Sequence, residues 1–172
     1  AGLYGAENVY DFSLGNPNVP APASVNQAIA DVLREEDSVT VHGYMSNAGF
    51  SDTRKAVADS LNRRFGTSFH EENIVMISGA AGGLNAVLKA ILDPGDEVVT
   101  FAPYFMEYKN YVANHDARLV EVPPDPETFL PNLTALGTAV TEKTRAVLIN
   151  NPNNPTGVIY PEEVIIRLAE AL

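Results

Sequence analysis

Four asparagines crowd around two prolines in the run Asn150-Asn151-Pro152-Asn153-Asn154-Pro155-Thr156-Gly157. Proline fixes its own φ and pushes the residue before it away from helix, so this loop is stiff. Gly157 allows a backbone conformation that other residues avoid. Such a loop can hold a carboxamide side chain in one place. Asn, Pro and Gly also build ordinary turns, but four asparagines exceed what a turn needs, and a binding role is the stronger reading. A second run, Ser78-Gly79-Ala80-Ala81-Gly82-Gly83, has side chains small enough to let an anion reach the backbone. At a helix start, unpaired N–H groups and the dipole favour a phosphate. The run is neither the dinucleotide fingerprint nor a P-loop, since no Gly-Lys-Ser/Thr follows. Close packing of a helix on a sheet accounts for its small residues equally well. A third run, Ala102-Pro103-Tyr104-Phe105, could offer an aromatic face to a planar ligand, although taken alone Tyr104 and Phe105 read as core.

The elements that must carry these loops follow from periodicity. Residues 1–22 are rich in Gly, Asn and Pro and read as an extended arm. Ser24, with Gln27 three residues on as a capping box, opens a helix whose apolar stripe is Val25, Ala28, Ile29, Val32 and Leu33. Residues 38–50 read as loop. A helix over 51–65 has Val57, Leu61 and Phe65 on one face and Gly66 as its stop. From 73 onward strand and helix alternate. Strands are expected at 74–77, 97–101, 118–122 and 145–150. Helices are expected over the Leu84, Val87, Leu88, Ile91 stripe, at 103–113, after Asn132 as cap, and from Pro161. Asp93-Pro94-Gly95-Asp96 is a turn. Apolar strands alternating with helices imply an α/β fold with a mainly parallel (mixed) sheet covered on both faces. In open sheets of this kind, ligands sit at the carboxyl ends of the strands. The asparagine and aromatic runs each follow such an end, and the glycine run follows the strand expected at 74–77. The last helix is still periodic at Leu172 without a stop signal, which points to a chain that continues.

The 172 residues suit one ordinary domain, and 45% apolar with 19% charged residues is globular composition. Eleven basic against 22 acidic residues leave a net charge of -11, which argues against nucleic acid or an anionic membrane as the main partner. With no cysteine, disulfides, thiolate nucleophiles and cysteine zinc sites are excluded, and a reducing cytoplasm is compatible. No signal peptide and no apolar run near the roughly 20 residues of a membrane span are visible. His42, His70 and His115 lack metal-ligand spacing, so no metal is expected.

Taken together, the segments HGYMSNAGFSDTRKAVA, ISGAAGGLNAVLKAILDPGDEVVTFAPYF and AVLINNPNNPTGVIYPEEV, with the arm DFSLGNPNVPAP, resemble the class I/II aminotransferases, pyridoxal-phosphate enzymes of fold type I. The resemblance covers nearly the whole chain, and the Asn-Asn-Pro-Thr-Gly segment is its sharpest element. It implies an N-terminal arm, first helix and loop over 1–50, and the front portion of the cofactor-binding large domain over 51–172. In this family the loop matching Gly79, Ala80 and Ala81 gives backbone amides to the cofactor phosphate. Many members carry a polar side chain at the position of Ala81, so here the grip must lean on backbone and dipole. Phe105 matches the ring that stacks on the pyridine, and Asn154 the amide that bonds its phenolic oxygen. Tyr44 matches a tyrosine that reaches the phosphate of the neighbouring subunit, implying a homodimer with shared sites. Gly15 matches the arm glycine whose backbone meets the substrate carboxylate.

The resemblance implies transfer of an amino group between an α-amino acid and a 2-oxo acid, with an aspartate- or aromatic-like range, in the cytoplasm. The family's lysine, its ring-nitrogen aspartate and its substrate-binding arginine lie beyond the asparagine loop in family order. None has a match here. Lys55, Lys89, Lys109 and Lys143 are the only lysines, and they read as surface residues. No catalytic residue is therefore expected within the chain, and the chain by itself is expected to be inactive. Three other readings stay open: a lyase or synthase of the same fold, a ligand-sensing domain in a transcriptional regulator, and a plain phosphate-binding module.

Overall fold

The computed structural model describes residues 2–10, 15 and 19–172. They divide into two units, Ala1–Thr53 and Arg54–Leu172. The first unit opens with a turn and a short 3-10 helix, Ala6–Asn8, so the expected arm is not wholly extended; residues 11–14 and 16–18 of it lie outside the described residues. Helix α1, Ala23–Glu35, follows. Its expected capping box is absent. The helix starts one residue early, Pro22 is the cap residue, the Pro22 carbonyl accepts from the Val25 N–H, and Gln27 instead donates to Asp31 at 2.7 Å. The segment expected to be loop contains helix α2, Ser38–His42, because the Asp37 carboxylate accepts from the Thr40 N–H and caps it.

The second unit is built on a parallel sheet of three strands, β1 (Glu97–Phe101), β2 (Arg118–Val122) and β3 (Thr144–Leu148), in the order β2-β1-β3. Every strand pair described is parallel; the antiparallel bridge between Pro124 and Pro131 lies outside the sheet. Central β1 is buried along its whole length, with Glu97 paired to Arg118 and Val99 to both Val120 and Val147. Burial on both faces follows from alternation. Val99 and Phe101 point into one core with Val122, Leu136 and Leu168, under α6 (Leu133–Ala139) and α7 (Glu162–Glu170). Val98 points into the other with Leu88, Leu92 and Val112, under α4 (Gly79–Ile91) and α5 (Glu107–Ala113). This is the expected α/β layering. The polar side chains of β1 are satisfied: the Thr100 hydroxyl donates to the Leu148 carbonyl at 2.9 Å, and Glu97 accepts from Arg118 and Thr141.

Helix α3, Ser51–Phe65, and the Asn132 cap of α6 match expectation. Helix α5 starts at Glu107, four residues later than the sequence suggests, and α7 closes at Glu170, two residues short of Leu172. The larger correction concerns 74–77, which forms no strand; a second 3-10 helix, Glu71–Asn73, precedes it. A strand exists only with a ladder partner, and no described strand pairs with these residues. Val75, Met76 and Ile77 are instead exposed, and Ile77 lies so close to α4 that a Cβ on Gly83 would collide with its side chain.

Candidate functional site

All three strands run the same way, so their carboxyl ends share one edge of the sheet. Pairing of Phe101 with Val122, and of Thr100 with Leu148, brings those ends level. Two of the expected loops leave this edge: 102–106 after β1 and 149–161 after β3. The Asp93-Asp96 turn, closed by the Asp96 N–H on the Asp93 carbonyl and by Gly95 at φ +89°, reverses the chain between α4 and β1. Gly79, Ala80 and Ala81 open α4, whose Leu88 packs with Val98 of β1, while Phe105 and Asn154 lie on the two carboxyl-edge loops.

The helix start is open. Gly79 takes φ +77°, a conformation that costs a side-chain-bearing residue, and a Cβ there would meet nothing within 4 Å. No side chain caps α4, and Gly79, Ala80 and Ala81 are exposed. The first N–H groups of a helix have no partner within it, so these donors face outward under the positive end of the dipole.

The four asparagines divide their work. Asn150 accepts the Asn154 N–H at 2.8 Å. Asn151 grips the backbone of Tyr160 from both sides, accepting its N–H at 2.9 Å and donating to its carbonyl at 3.3 Å. Asn153 is buried; its carbonyl oxygen accepts the Thr156 hydroxyl at 2.8 Å and the Thr156 N–H at 3.3 Å. Its backbone closes the loop with Val158 and Gly157. Three carboxamides are thus consumed in shaping the loop. The fourth, Asn154, is exposed, and no side-chain hydrogen bond from it to the described residues is found.

The aromatic run forms a cluster. Tyr108 is buried and meets the rings of Tyr104 (6.2 Å, stacked), Phe105 (5.7 Å, edge-on) and Tyr111 (6.5 Å). Burial, then the neighbouring Tyr111, raises the Tyr108 phenol above its ordinary range. Burial also raises Tyr160, opposed by a hydrogen bond with the Asn153 side chain. Tyr108 and Tyr160 thus belong to the core, whereas Phe105, which taken alone reads as core in the sequence, keeps 39% of its surface exposed.

Gly15 and Tyr44 belong to the first unit. Gly15 is exposed with nothing near its Cβ position, and the Tyr44 ring is fully exposed. None of the four lysines stands on the carboxyl-edge loops: Lys55 pairs with Asp59 on α3 at 2.7 Å, Lys89 and Lys109 are exposed on α4 and α5, and Lys143 precedes β3 at the opposite edge. Among the described residues there is no cluster able to hold a metal ion, and no helix long and apolar enough to cross a membrane. Sequence reasoning missed the supporting roles of Asn151, Asn153 and Glu121. Glu121 reaches Tyr104 across 17 residues and carries no local signal for it.

The family model for aminotransferases of class I and II matches residues 6–172. The probable aspartate/prephenate aminotransferase of Thermus aquaticus is 38% identical over 92% of this chain and 41% of its own length. An amino transferase from Eubacterium rectale superposes with a TM-score of 0.94 at 48% identity, over 96% of this chain and 42% of that one. Thermus thermophilus aspartate aminotransferase with maleate gives 0.83 at 36% identity, over 92% and 41%. The chain thus spans about 41% of the length of the relatives it matches. With its sheet, its carboxyl-edge loops and this family match, the chain belongs to the class I and II aminotransferases and carries a portion of their fold.

Proposed function

We propose that this chain is the front part of a pyridoxal-phosphate-dependent aminotransferase that moves an amino group between an α-amino acid and a 2-oxo acid. The observation that carries the proposal is the division of labour in the asparagine loop, which leaves the Asn154 carboxamide with no hydrogen bond to the described residues. The donor set suits the cofactor. The outward N–H groups of Gly79, Ala80 and Ala81 would hold its phosphate by backbone and dipole, with no side chain in the way. Asn154 would donate to the phenolic oxygen, and the exposed Phe105 ring would lie against the pyridine. When bound, the cofactor supplies a ring that accepts the electrons released as a bond at the amino acid's Cα breaks.

The chain's own residues bind and orient. Asn151 and Asn153 hold the loop in shape, so that the Asn154 amide is presented without further ordering cost. We assign Gly15 to the substrate carboxylate and Tyr44 to the phosphate of a second subunit, in a homodimer with shared sites. An acidic or aromatic amino acid is the substrate we favour, in keeping with the names of the aspartate/prephenate relatives. We place the enzyme in the cytoplasm, a reducing compartment that a cysteine-free chain suits. The test is to express the parent gene product, titrate it with pyridoxal phosphate, and assay amino transfer from aspartate and phenylalanine to 2-oxoglutarate. Cofactor binding with elimination products only would replace transfer by a lyase reading. Failure to bind the cofactor would remove both.

A further inference from the structure

Phe105 sits on the loop between β1 and α5, where its carbonyl accepts the Tyr108 N–H at 3.0 Å. What holds the ring is lateral. Phe105 stands edge-on against Tyr108, with centroids 5.7 Å apart and planes 79° apart. Tyr108, 8% exposed, lies face to face with Tyr104 at 6.2 Å and 9°. The Tyr104 hydroxyl donates to the Glu121 carboxylate at 2.7 Å, and Glu121 belongs to β2. One end of the Tyr104 side chain is thus its own backbone, next to Phe105, and the other end is tied to the sheet.

We propose that Tyr104 and Glu121 are a pair of positioning residues that set the orientation of the Phe105 ring against the cofactor. The inference rests on the reading of Phe105 as the stacking residue. Burial first, and the Glu121 carboxylate second, push the Tyr104 phenol up to about 12. The hydroxyl therefore keeps its proton, and its role as donor, across the neutral range. Deleting the hydroxyl or the carboxylate frees the Tyr104 ring to rotate away from Tyr108. Phe105 then samples several orientations, and the cofactor must select one of them when it binds.

The experiment uses the complete holoenzyme in four variants: Tyr104→Phe, Glu121→Ala, Glu121→Gln and Phe105→Ala. Each is measured for pyridoxal phosphate dissociation constant, for visible circular dichroism of the bound cofactor, and for thermal unfolding of the apoenzyme. Phe105→Ala should weaken binding roughly tenfold. Tyr104→Phe and Glu121→Ala should weaken it roughly three- to tenfold and diminish the circular dichroism, the value of one hydrogen bond. Glu121→Gln still offers an oxygen acceptor and should restore both readings. Wild-type affinity and circular dichroism in Tyr104→Phe and Glu121→Ala, beside a weakened Phe105→Ala, would overturn the positioning pair and leave the stacking residue in place. An unaffected Phe105→Ala would overturn the stacking reading itself. Losses that merely follow a lower apoenzyme unfolding temperature, or a Glu121→Gln as weak as Glu121→Ala, would also sink the tether.

Discussion

Replacing Asn154 by alanine removes a side chain for which no hydrogen bond to the described residues is found, while its backbone N–H keeps its bond to Asn150. Replacing its neighbour Asn153 removes a buried acceptor that holds the Thr156 hydroxyl at 2.8 Å and the Thr156 N–H at 3.3 Å. The two substitutions are chemically identical and one residue apart, yet they should act on different quantities. Asn153→Ala loses these two hydrogen bonds together with the one to Tyr160 and leaves the Thr156 donors unsatisfied, a cost of about 2 kcal/mol to folding. In a protein of this kind that lowers the unfolding temperature by roughly 2–4 °C for each kcal/mol. Asn154→Ala should leave the apoenzyme's unfolding temperature unchanged. It should instead remove a hydrogen bond to a charged oxygen of the cofactor, worth about 2 kcal/mol, or roughly thirtyfold in cofactor affinity. It should also alter the pH dependence of the cofactor's absorption. The assay is a cofactor titration and an apoenzyme melt on each variant. Equal destabilisation by both variants, or an unchanged absorption titration in Asn154→Ala, would refute the division of labour from which the function is argued.

Three further outcomes are expected. Tyr44→Phe should speed cofactor loss from the proposed dimer without changing the apoenzyme's stability, since its ring is fully exposed in its own unit; unaltered retention in a dilution assay would remove Tyr44 from the site. Leu136→Ala, at a position with no exposure against Val99, Phe101, Val122 and Leu168, should cost about 2–5 kcal/mol by denaturant titration, and a loss under 1 kcal/mol would mean that the cluster collapses around the gap. Acid stability should depend on Glu97, whose hydrogen bonds to Arg118 and then Thr141 hold its carboxyl below the usual range. A lowered folded-state value means that the contribution is complete above the unfolded value, near 4.3, and fades as pH falls through the folded one. Glu97→Gln should therefore flatten the acid limb of the stability curve, and an unchanged limb would assign acid unfolding to other groups.

Much of this was legible in the residues. Short apolar runs such as 97–101 and 118–122 became strands, because Asp93-Pro94-Gly95-Asp96 and the apolar helix stripes left no other way to bury them. Asn132 capped its helix as its side chain allows. The asparagine run was visible as a composition beyond what a turn needs, the glycine and aromatic runs gained weight only beside it, and the order of the three along the chain was enough to suggest the family that the comparisons bear out. Other features depended on partners remote in sequence. The apolar run 74–77 looked like a strand, but apolarity reports a wish for burial, whereas a strand needs a hydrogen-bonding neighbour, and none is described. The start of α1 carried the letters of a capping box, yet the helix begins at Ala23 with Pro22 as its cap, so Ser24 is not the cap residue and Gln27 donates to Asp31. Composition could count four asparagines, but only the folded loop decides that Asn150, Asn151 and Asn153 are spent within it while the Asn154 side chain makes no hydrogen bond to the described residues. Local chemistry is written residue by residue. Which donor remains without an acceptor is a property of the three-dimensional arrangement, because it depends on every group that arrives within 3 Å or so of it.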